Sequence, residues 1–139
     1  MSEIREGGAH SPAEPPIVAV VDDDPSILRS LRSLLLSSGF RAQTFPSAAA
    51  FLASGEAAAT NCLVLDLSMP GMSGADLVAH LSATSQSVPF VVLTAVADAE
   101  EKNRMMQNGA AAFLRKPASG PDLVRAIRGA LRNAPERKQ

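Results

Sequence analysis

The 139-residue sequence lacks several features that mark particular classes of protein. Its one cysteine excludes an internal disulfide, and no apolar run approaches the roughly 20 residues of a membrane span or resembles a secretory signal. With 13 basic and 14 acidic residues, the chain has no basic excess of the kind that binding to a phosphate backbone requires. Aromatic residues are scarce at 4%, with no Trp or Tyr. We therefore expect a soluble, cytoplasmic protein with neither a membrane nor a nucleic acid as a direct partner.

Short apolar runs alternate with helical patterns over most of the sequence. The pattern predicts five strands, of which those at residues 17–21, 62–65 and 90–93 are buried apolar runs and those at 41–45 and 112–115 are short strands, and a helical pattern follows each one. Strict alternation of strands and helices predicts an α/β fold, in which a parallel sheet is covered by helices on both faces.

Length and composition indicate one domain. A chain of this length with 46% hydrophobic residues can bury one core of its own, and the alternating pattern occupies residues 16–133. Residues 1–15 mix Ser, Glu, Gly, Ala and Pro without periodicity, which predicts a flexible arm. Residues 134–139 predict a flexible polar tail.

Polar side chains stand at the carboxyl ends of the predicted strands. Asp22 and Asp23 follow the first strand, Asp66 follows the third, Thr94 comes after the fourth and Lys116 after the fifth. In a parallel sheet these ends meet at one edge, where ligands and chemistry collect. We therefore expect the five side chains to lie close together, although almost a hundred positions separate the first from the last.

The charges in this set predict a metal and a reaction. Three carboxylates against one lysine leave an excess of negative charge, and two carboxylates about 4 Å apart repel by roughly 4 kcal/mol at an effective dielectric constant near 20. Hard oxygen ligands without His or Cys favour Mg²⁺ over zinc. Because Mg²⁺ shares its coordination sphere with phosphate oxygens, the set indicates phosphoryl transfer.

Four motifs resemble one known family, the receiver domains of two-component response regulators. They are Val-Val-Asp-Asp-Asp-Pro at 20–25, Leu-Asp-Leu-Ser-Met-Pro-Gly-Met-Ser-Gly at 65–74, Leu-Thr-Ala at 93–95 and Phe-Leu-Arg-Lys-Pro at 113–117. Each motif is weak alone, but all four in this order and spacing are highly specific. The resemblance spans about residues 16–133. The segment Thr-Phe-Pro-Ser-Ala-Ala-Ala-Phe-Leu at 44–52 resembles the branch typified by nitrogen-fixation regulators.

The resemblance implies a flavodoxin-like, doubly wound fold of five strands in the order 2-1-3-4-5. It implies that Asp66 is the phosphoacceptor, which takes a phosphoryl group from the histidine of a sensor kinase or a phosphotransfer protein. Asp22 and Asp23 match the metal-binding acids of the family. The resemblance adds the carboxylate of Asp66 and the backbone carbonyl of Ser68 as ligands of Mg²⁺.

The resemblance also assigns the groups that respond to phosphorylation. Lys116 would pair with the phosphoryl oxygens, and the Lys116–Pro117 peptide bond would be cis. Thr94 would move towards the phosphoryl group, and Phe113 matches the switch aromatic that turns inward behind it. The surface formed by residues 98–132 would then contact a downstream protein partner, and a homodimer through this surface is possible within the family.

Several of these residues have simpler interpretations. Asp24 precedes Pro25 at the start of the first helix, which favours a helix cap over a metal ligand. Phe113 is a lone aromatic in a strand, and such residues are usually part of the core. Cys62 is expected to pack as a small buried hydrophobe with no lowered pKa. The two histidines, His10 and His80, lie outside the set and are interpreted as surface residues.

Three functional hypotheses remain open. The first is a stand-alone receiver that signals through protein contacts, because no output domain follows the fifth helix in this sequence. The second is the receiver part of a DNA-binding transcription regulator. The third is a phosphohydrolase of the haloacid dehalogenase type, but that class needs a second Asp as general acid two residues past the nucleophile, where this chain has Ser68. The first two describe a signalling switch rather than a turnover enzyme.

The residue two positions past Thr94 generates a prediction about the lifetime of the phosphorylated form. In the family this position can hold or exclude the hydrolytic water, and here it is Val96. We expect a phosphoaspartate that hydrolyses more slowly than in receivers with an acid or amide there, and we expect Val96→Glu to hydrolyse it faster. The decay of the phosphorylated form, followed after removal of the phosphodonor, measures this. An unchanged rate in Val96→Glu would contradict the argument.

Overall fold

The structure of the protein is a computed structural model that describes residues 14–95 and 98–133. The predictions for His10, for Val96, for the tail and for the arm up to residue 13 lie outside the described residues. Residues 14 and 15 of the predicted arm are described, and Arg41 contacts both: its Nε donates to the carbonyl of Pro15 at 2.9 Å, and its Nη2 lies 3.9 Å from Glu14 Oε1.

Strands and helices alternate along the chain as the sequence predicts. The strands are β1 (Ile17–Val21), β2 (Arg41–Phe45), β3 (Cys62–Leu65), β4 (Phe90–Thr94) and β5 (Ala112–Arg115). The helices are α1 (Pro25–Ser37), α2 (Ala48–Ser54), α3 (Gly74–Ala83), α4 (Ala99–Gln107) and α5 (Gly120–Asn133). A short 3-10 turn, Ala57–Ala59, was not predicted, because a run of alanines carries no periodic signal.

The five strands form one parallel sheet in the order β2-β1-β3-β4-β5. This confirms the predicted flavodoxin-like order. The chain adds β2 on one side of β1 and β3 on the other, so the carboxyl ends of β1 and β3 flank the point where the strand order reverses. In doubly wound sheets this crevice is where ligands bind.

Short polar residues begin the helices. The side chain of Asp24 accepts a hydrogen bond from the backbone N–H of Ser26 and so caps α1, as predicted. Hydrogen bonds from the hydroxyl and the backbone N–H of Ser26 lower the pKa of Asp24. Ser73 and Asp76 form a reciprocal capping box at the start of α3, which fixes where the chain turns after β3.

The sheet separates two apolar clusters. Side chains of α1 and α5 pack on one face, around Leu35 and Ile127, while α2, α3 and α4 cover the other, around Phe51 and Leu77. Cys62 belongs to the first cluster, and burial raises the pKa of its thiol to about 12, so the prediction of a buried cysteine without a lowered pKa is confirmed. None of the helices in the described ranges is long and apolar enough to cross a membrane.

Strand β2 lies at one end of the sheet, and one side of its backbone has no neighbouring strand within residues 14–95 and 98–133. Arg32, an exposed residue of α1, reaches this strand: its Nη1 donates to the carbonyl of Ala42 at 3.2 Å. Arg128 of α5 donates to the carbonyl of Ser38 at 3.0 Å and stacks 5.0 Å from the ring centroid of Phe40. The two arginines therefore attach α1 to the edge strand and α5 to the end of α1.

Gly74, the first residue of α3, packs directly on the end of β3. A Cβ at this position would lie 2.6 Å from the backbone oxygen of Asp66, 3.0 Å from Leu67 Cδ2 and 3.1 Å from Leu65 Cγ. Only a residue without a side chain lets the helix approach the strand this closely. Gly74 thus couples the start of α3 to the position of Asp66.

We expect Gly74→Ala to lower the free energy of unfolding by about 1–3 kcal/mol, because the added methyl overlaps backbone atoms that cannot move freely. Urea unfolding followed by circular dichroism measures this. Gly129→Ala is the matched control, because the new Cβ meets nothing closer than Arg132 Nη2 at 3.9 Å. Since alanine has a higher helix propensity than glycine, this variant should raise the free energy of unfolding by up to about 1 kcal/mol. Equal stability of the two variants would contradict the close-packing argument.

Candidate functional site

The carboxyl edge of the sheet collects the polar side chains that the sequence placed there. Asp22 directly follows β1, Asp66 directly follows β3, and Lys116 directly follows β5, while Thr94 is the last residue of β4. Carboxylate oxygens of Asp22, Asp23 and Asp66 lie within 4.8 Å of one another. The structure therefore brings the three acids and the lysine into one cluster, and Thr94 ends a strand at the same edge.

Lys116 lies between two of the carboxylates. Its Nζ is 2.7 Å from Asp22 Oδ2 and 3.3 Å from Asp66 Oδ2. Its backbone N–H donates to the carbonyl of Thr94 at 2.9 Å, and the Lys116–Pro117 peptide bond is cis. The shorter contact is to Asp22, a pairing that the sequence did not predict, since no spacing rule indicates which acid a lysine fifty positions or more away will approach.

Backbone groups hold the two buried carboxylates in place. The Oδ1 atom of Asp22 accepts a hydrogen bond from the backbone N–H of Asp24 at 2.9 Å. The Oδ1 atom of Asp66 accepts one from the backbone N–H of Ser68 at 3.2 Å. The Asp66 backbone N–H donates to the carbonyl of Val21 at 3.1 Å, which extends the β1–β3 pairing to the site. Each buried carboxylate is thus positioned by one N–H and one ammonium.

Burial and charge act in opposite directions on the ionisable groups. Burial raises the pKa of Asp22, and the negative charge of Asp66 adds to this, although hydrogen bonds from Lys116 and Asp24 oppose it. Burial alone would lower the pKa of Lys116, but its hydrogen bond to Asp22 and the attraction of both carboxylates outweigh that effect and raise it. Lys116 therefore carries its charge at neutral pH.

Asp23 differs from the other two acids because it is exposed. Its side chain makes no hydrogen bond or ion pair with the part of the chain that the structure describes. Its oxygen nevertheless belongs to the same cluster, so the three acids present oxygen ligands to a common space. With one ammonium against three carboxylates, this donor set fits a hard divalent cation that binds oxygen.

Thr94 presents a polar group without a partner. Its Oγ1 is buried and makes no hydrogen bond with residues 14–95 or 98–133. A buried hydroxyl in this state costs about 1–3 kcal/mol relative to a bonded one. The hydroxyl is therefore available to a group that enters at this edge.

Phe113 lies on the same face of the sheet as Thr94. It pairs in register with Val92, two residues before Thr94, and side chains two apart on a strand share a face. Phe113 is half-buried and packs against the cluster formed by α2, α3 and α4. Its place in the core is thus observed.

Two features of the site escaped the sequence analysis. The capping box of Ser73 and Asp76 fixes the turn after Asp66, and its Ser-x-x-acid spacing was a signal that could have revealed it. The close approach of Gly74 to Asp66 had no such signal, because a glycine in a turn-rich segment is equally compatible with an ordinary turn. His80 is exposed and lies on α3, away from this edge, as predicted.

Comparisons with known proteins agree with this geometry. Residues 18–128 match the family model described as the response regulator receiver domain. Over 133 residues the chain is 36% identical to the response regulator protein TmoT of Ectopseudomonas mendocina, covering 96% of this chain and 60% of TmoT. It is 38% identical over 119 residues to the transcriptional regulatory protein FixJ of Azorhizobium caulinodans, covering 86% of this chain and 56% of FixJ.

A solved structure agrees as well. The structure titled FixJ-N superposes with a TM-score of 0.78 at 32% sequence identity and covers 88% of this chain and 98% of that one. The FixJ relatives support the predicted placement near the nitrogen-fixation regulators. The chain spans about 60% of the length of the curated relatives that it matches first. The match over residues 18–128, together with these identities, means that the chain belongs to the family of response regulator receiver domains of two-component systems.

Proposed function

We propose that the protein accepts a phosphoryl group on Asp66 from the phosphohistidine of a sensor histidine kinase or a histidine phosphotransfer protein. The observation that carries this proposal is the buried carboxylate of Asp66 at the end of β3, which lies 3.3 Å from Lys116 Nζ and within 4.8 Å of the carboxylate oxygens of Asp22 and Asp23. One oxygen of Asp66 is oriented by the N–H of Ser68, so the carboxylate is fixed as a nucleophile before a phosphodonor arrives.

The reaction is a transfer between two nucleophiles. A carboxylate oxygen of Asp66 attacks phosphorus, the bond between phosphorus and the donor's imidazole nitrogen breaks, and its electron pair returns to that nitrogen. Lys116, already within 3.3 Å of Asp66, pairs with the phosphoryl oxygens. The unpartnered hydroxyl of Thr94 donates to one of them, which would satisfy a hydrogen bond that the fold leaves unmade.

The acids of the site would hold Mg²⁺. Asp22, Asp23 and Asp66 supply carboxylate oxygens, and the backbone carbonyl of Ser68 supplies a further ligand by the family resemblance. When bound, the ion neutralises charge on the carboxylates and on the transferring phosphoryl group. Within this set Asp23 is the exposed ligand, whereas Asp22 and Asp66 are held by the protein on either side of Lys116.

We further propose that the protein is a switch and not a turnover enzyme. A phosphohydrolase that uses an aspartate nucleophile needs a general acid near the leaving group, and the position two residues past Asp66 is the exposed Ser68. The surface formed by residues 98–132, which contains α4, β5 and α5, would then present the phosphorylated state to a partner protein or to a second copy of the chain. Thr94 and Phe113, on one face of β4 and β5, would connect the site to that surface.

The downstream partner defines two candidate functions. A stand-alone receiver would act through contacts of the 98–132 surface with another protein, as an intermediate or phosphate sink in a phosphorelay or as a switch. The second candidate is the receiver of a longer transcription regulator, and it is supported by relatives that are longer than this chain and carry the names of transcriptional regulatory proteins. The length of the native open reading frame distinguishes the two.

Mg²⁺ should stabilise the protein through Asp23. At roughly ten times the Kd, a ligand that binds only the folded state adds about 1.4 kcal/mol to the free energy of unfolding. We expect the melting temperature of the wild type to rise with Mg²⁺, and that of Asp23→Asn to rise much less. Without the metal, Asp23→Asn should be as stable as the wild type or more so, because one repelling charge is gone.

Glu100→Gln is the matched control for this experiment. Glu100 is an exposed acid on α4 that makes no ion pair among the described residues, so its variant should keep the full response to Mg²⁺. Differential scanning fluorimetry in Mg²⁺ and in an equal ionic strength of Na⁺ measures both effects. A response that survives in Asp23→Asn would remove Asp23 from the metal site.

Phosphorylation itself should depend on Asp66 and on the metal. We expect intact-mass spectrometry after incubation with acetyl phosphate and Mg²⁺ to detect one added phosphoryl group on the wild type, and none on Asp66→Asn or after chelation with EDTA. The matched control is Asp24→Asn, which keeps the helix cap because Asn caps as well as Asp, and it should accept the phosphoryl group normally. An adduct on Asp66→Asn would refute the assigned nucleophile.

A further inference from the structure

Three groups from different elements hold Asp22. Its backbone N–H donates to the carbonyl of Phe45, at the end of β2, at 3.1 Å. Its Oδ2 atom lies 2.7 Å from Lys116 Nζ, and its Oδ1 atom accepts from the backbone N–H of Asp24 at 2.9 Å. The N–H of Asp24 thus binds the oxygen that Lys116 leaves free. The orientation of the Asp22 carboxylate therefore depends on where this N–H points.

Asp24 is itself attached to the start of α1. Its Oδ1 atom accepts two hydrogen bonds from Ser26, one from the backbone N–H at 2.9 Å and one from the hydroxyl at 2.8 Å. Its carbonyl accepts from the N–H of Leu28 at 3.1 Å. Pro25 restricts the residue before it to extended conformations, and Asp24 has φ of −93° and ψ of 112°. Both the side chain and the carbonyl of Asp24 are therefore held by the helix.

The tetrahedral Cα of Asp24 passes this constraint on to Asp22. The hydrogen bonds from Ser26 fix the direction of the bond from Cα to Cβ, and the hydrogen bond from Leu28 fixes the carbonyl. Once these two directions are set, the bond angles at Cα set the direction of the bond to the backbone nitrogen. The Asp24 N–H is therefore aimed at Asp22 Oδ1 by contacts within the first turn of α1.

The hydroxyl of Ser26 is not needed to cap the helix. A cap satisfies backbone N–H groups at the start of a helix, and Asp24 already does this when it accepts from the N–H of Ser26. The bond from Ser26 Oγ to the same carboxylate oxygen satisfies no backbone group of α1. Its direct effect is to hold the side chain of Asp24 in one orientation.

We propose that Ser26 is a positioning residue of the metal site, which acts on Asp22 through Asp24. The hydroxyl of Ser26 holds the Asp24 carboxylate, and Asp24 in turn directs its N–H at Asp22, so the Asp22 carboxylate is oriented before an ion arrives. Groups behind a metal ligand fix its orientation and so raise the affinity of the site. This role rests on the proposed function, because it requires Asp22 and Asp23 to bind Mg²⁺.

The same contacts constrain the backbone of Asp23. Its exposed side chain makes no hydrogen bond with the described residues, but it lies between Asp22 and Asp24, whose backbone N–H groups are both bonded. The backbone of Asp23 is thus held on either side. Ligand groups that are already in place need not be ordered when an ion binds. Loss of the Ser26 hydroxyl should therefore weaken the binding of Mg²⁺ by both acids.

The amide of Asp24 tests the arrangement in the metal-free protein. An N–H that donates to a carboxylate has a proton resonance displaced downfield, so the Asp24 signal in a ¹H–¹⁵N correlation spectrum of the full chain reports the bond to Asp22. We expect this signal to move upfield in Ser26→Ala and to stay near its wild-type position in Ser26→Thr, which keeps the hydroxyl. An Asp24 proton shift that is the same in Ser26→Ala as in the wild type would overturn the proposal.

The affinity for Mg²⁺ is the second readout. Titration with Mg²⁺, followed by the amide shifts of residues 22–24, gives the Kd. Removal of a group directly behind a metal ligand typically costs about 10-fold to 100-fold in affinity. Ser26 acts through one further residue and is exposed to water, so we expect the Kd of Ser26→Ala to be about threefold to tenfold higher than that of the wild type. Ser26→Thr should restore the wild-type Kd.

A purely structural role of Ser26 predicts a different pattern. If its hydroxyl only stabilises α1, Ser26→Ala would lower the melting temperature without Mg²⁺ and leave the Kd unchanged, and that result would refute the positioning role. Ser33→Ala is the matched control, because Ser33 is exposed on the same helix and its side chain makes no hydrogen bond with the part of the chain that the structure describes. It should bind Mg²⁺ like the wild type. None of these variants changes the charge, so the long-range attraction of Mg²⁺ is the same in all of them.

The titration also separates this proposal from the proposed function. If residues 22–24 of the wild type show no saturable response to Mg²⁺, the metal site itself is refuted, and the role of Ser26 falls with it. If the wild type binds Mg²⁺ and Ser26→Ala binds it equally well, only the role of Ser26 is refuted. Weaker binding by Ser26→Ala, with unchanged binding by Ser26→Thr and Ser33→Ala, supports both.

Discussion

The ammonium of Lys116 is the interaction on which the carboxyl edge of this domain depends. The parallel sheet forces the residues that follow β1 and β3 into adjacent positions, and both are aspartates that the fold buries. Two buried carboxylates side by side would be strongly unfavourable without a positive charge between them. Lys116 supplies that charge from β5, two strands away from β3, and so ties the far side of the sheet to its centre.

The apolar core and the acid cluster depend on each other. The central strands β1 and β3 are buried along nearly their whole length, which fixes their register and hence the spacing of Asp22 and Asp66. Gly74 brings α3 directly against the carbonyl of Asp66, so the helix that packs on the sheet also limits where Asp66 can move. The packing of α3 on the sheet and the position of Asp66 are therefore coupled at the end of β3. A change in packing at Gly74 would act directly on Asp66.

The sequence predicts the elements and the strand order well, because both follow from local or near-local patterns. Apolar runs and cap residues such as Asp24 and Ser47 mark the boundaries, and the four motifs fix the family and with it the order of the strands. What it does not predict depends on distances between side chains that are remote in the chain. The preference of Lys116 for Asp22 over Asp66, and the absence of a hydrogen-bond partner for the hydroxyl of Thr94 among the described residues, are both of this kind.

The contact between Arg32 and the carbonyl of Ala42 has a consequence for how copies of the protein behave at high concentration. A strand at the end of a sheet offers free backbone groups on which another chain can add a strand, and such edges are common starting points for aggregation. Here a guanidinium from α1 occupies one of these acceptors and places a fixed positive charge beside it. A second copy that approached edge to edge would have to displace this group and meet a like charge, so the arginine disfavours the pairing of two β2 edges.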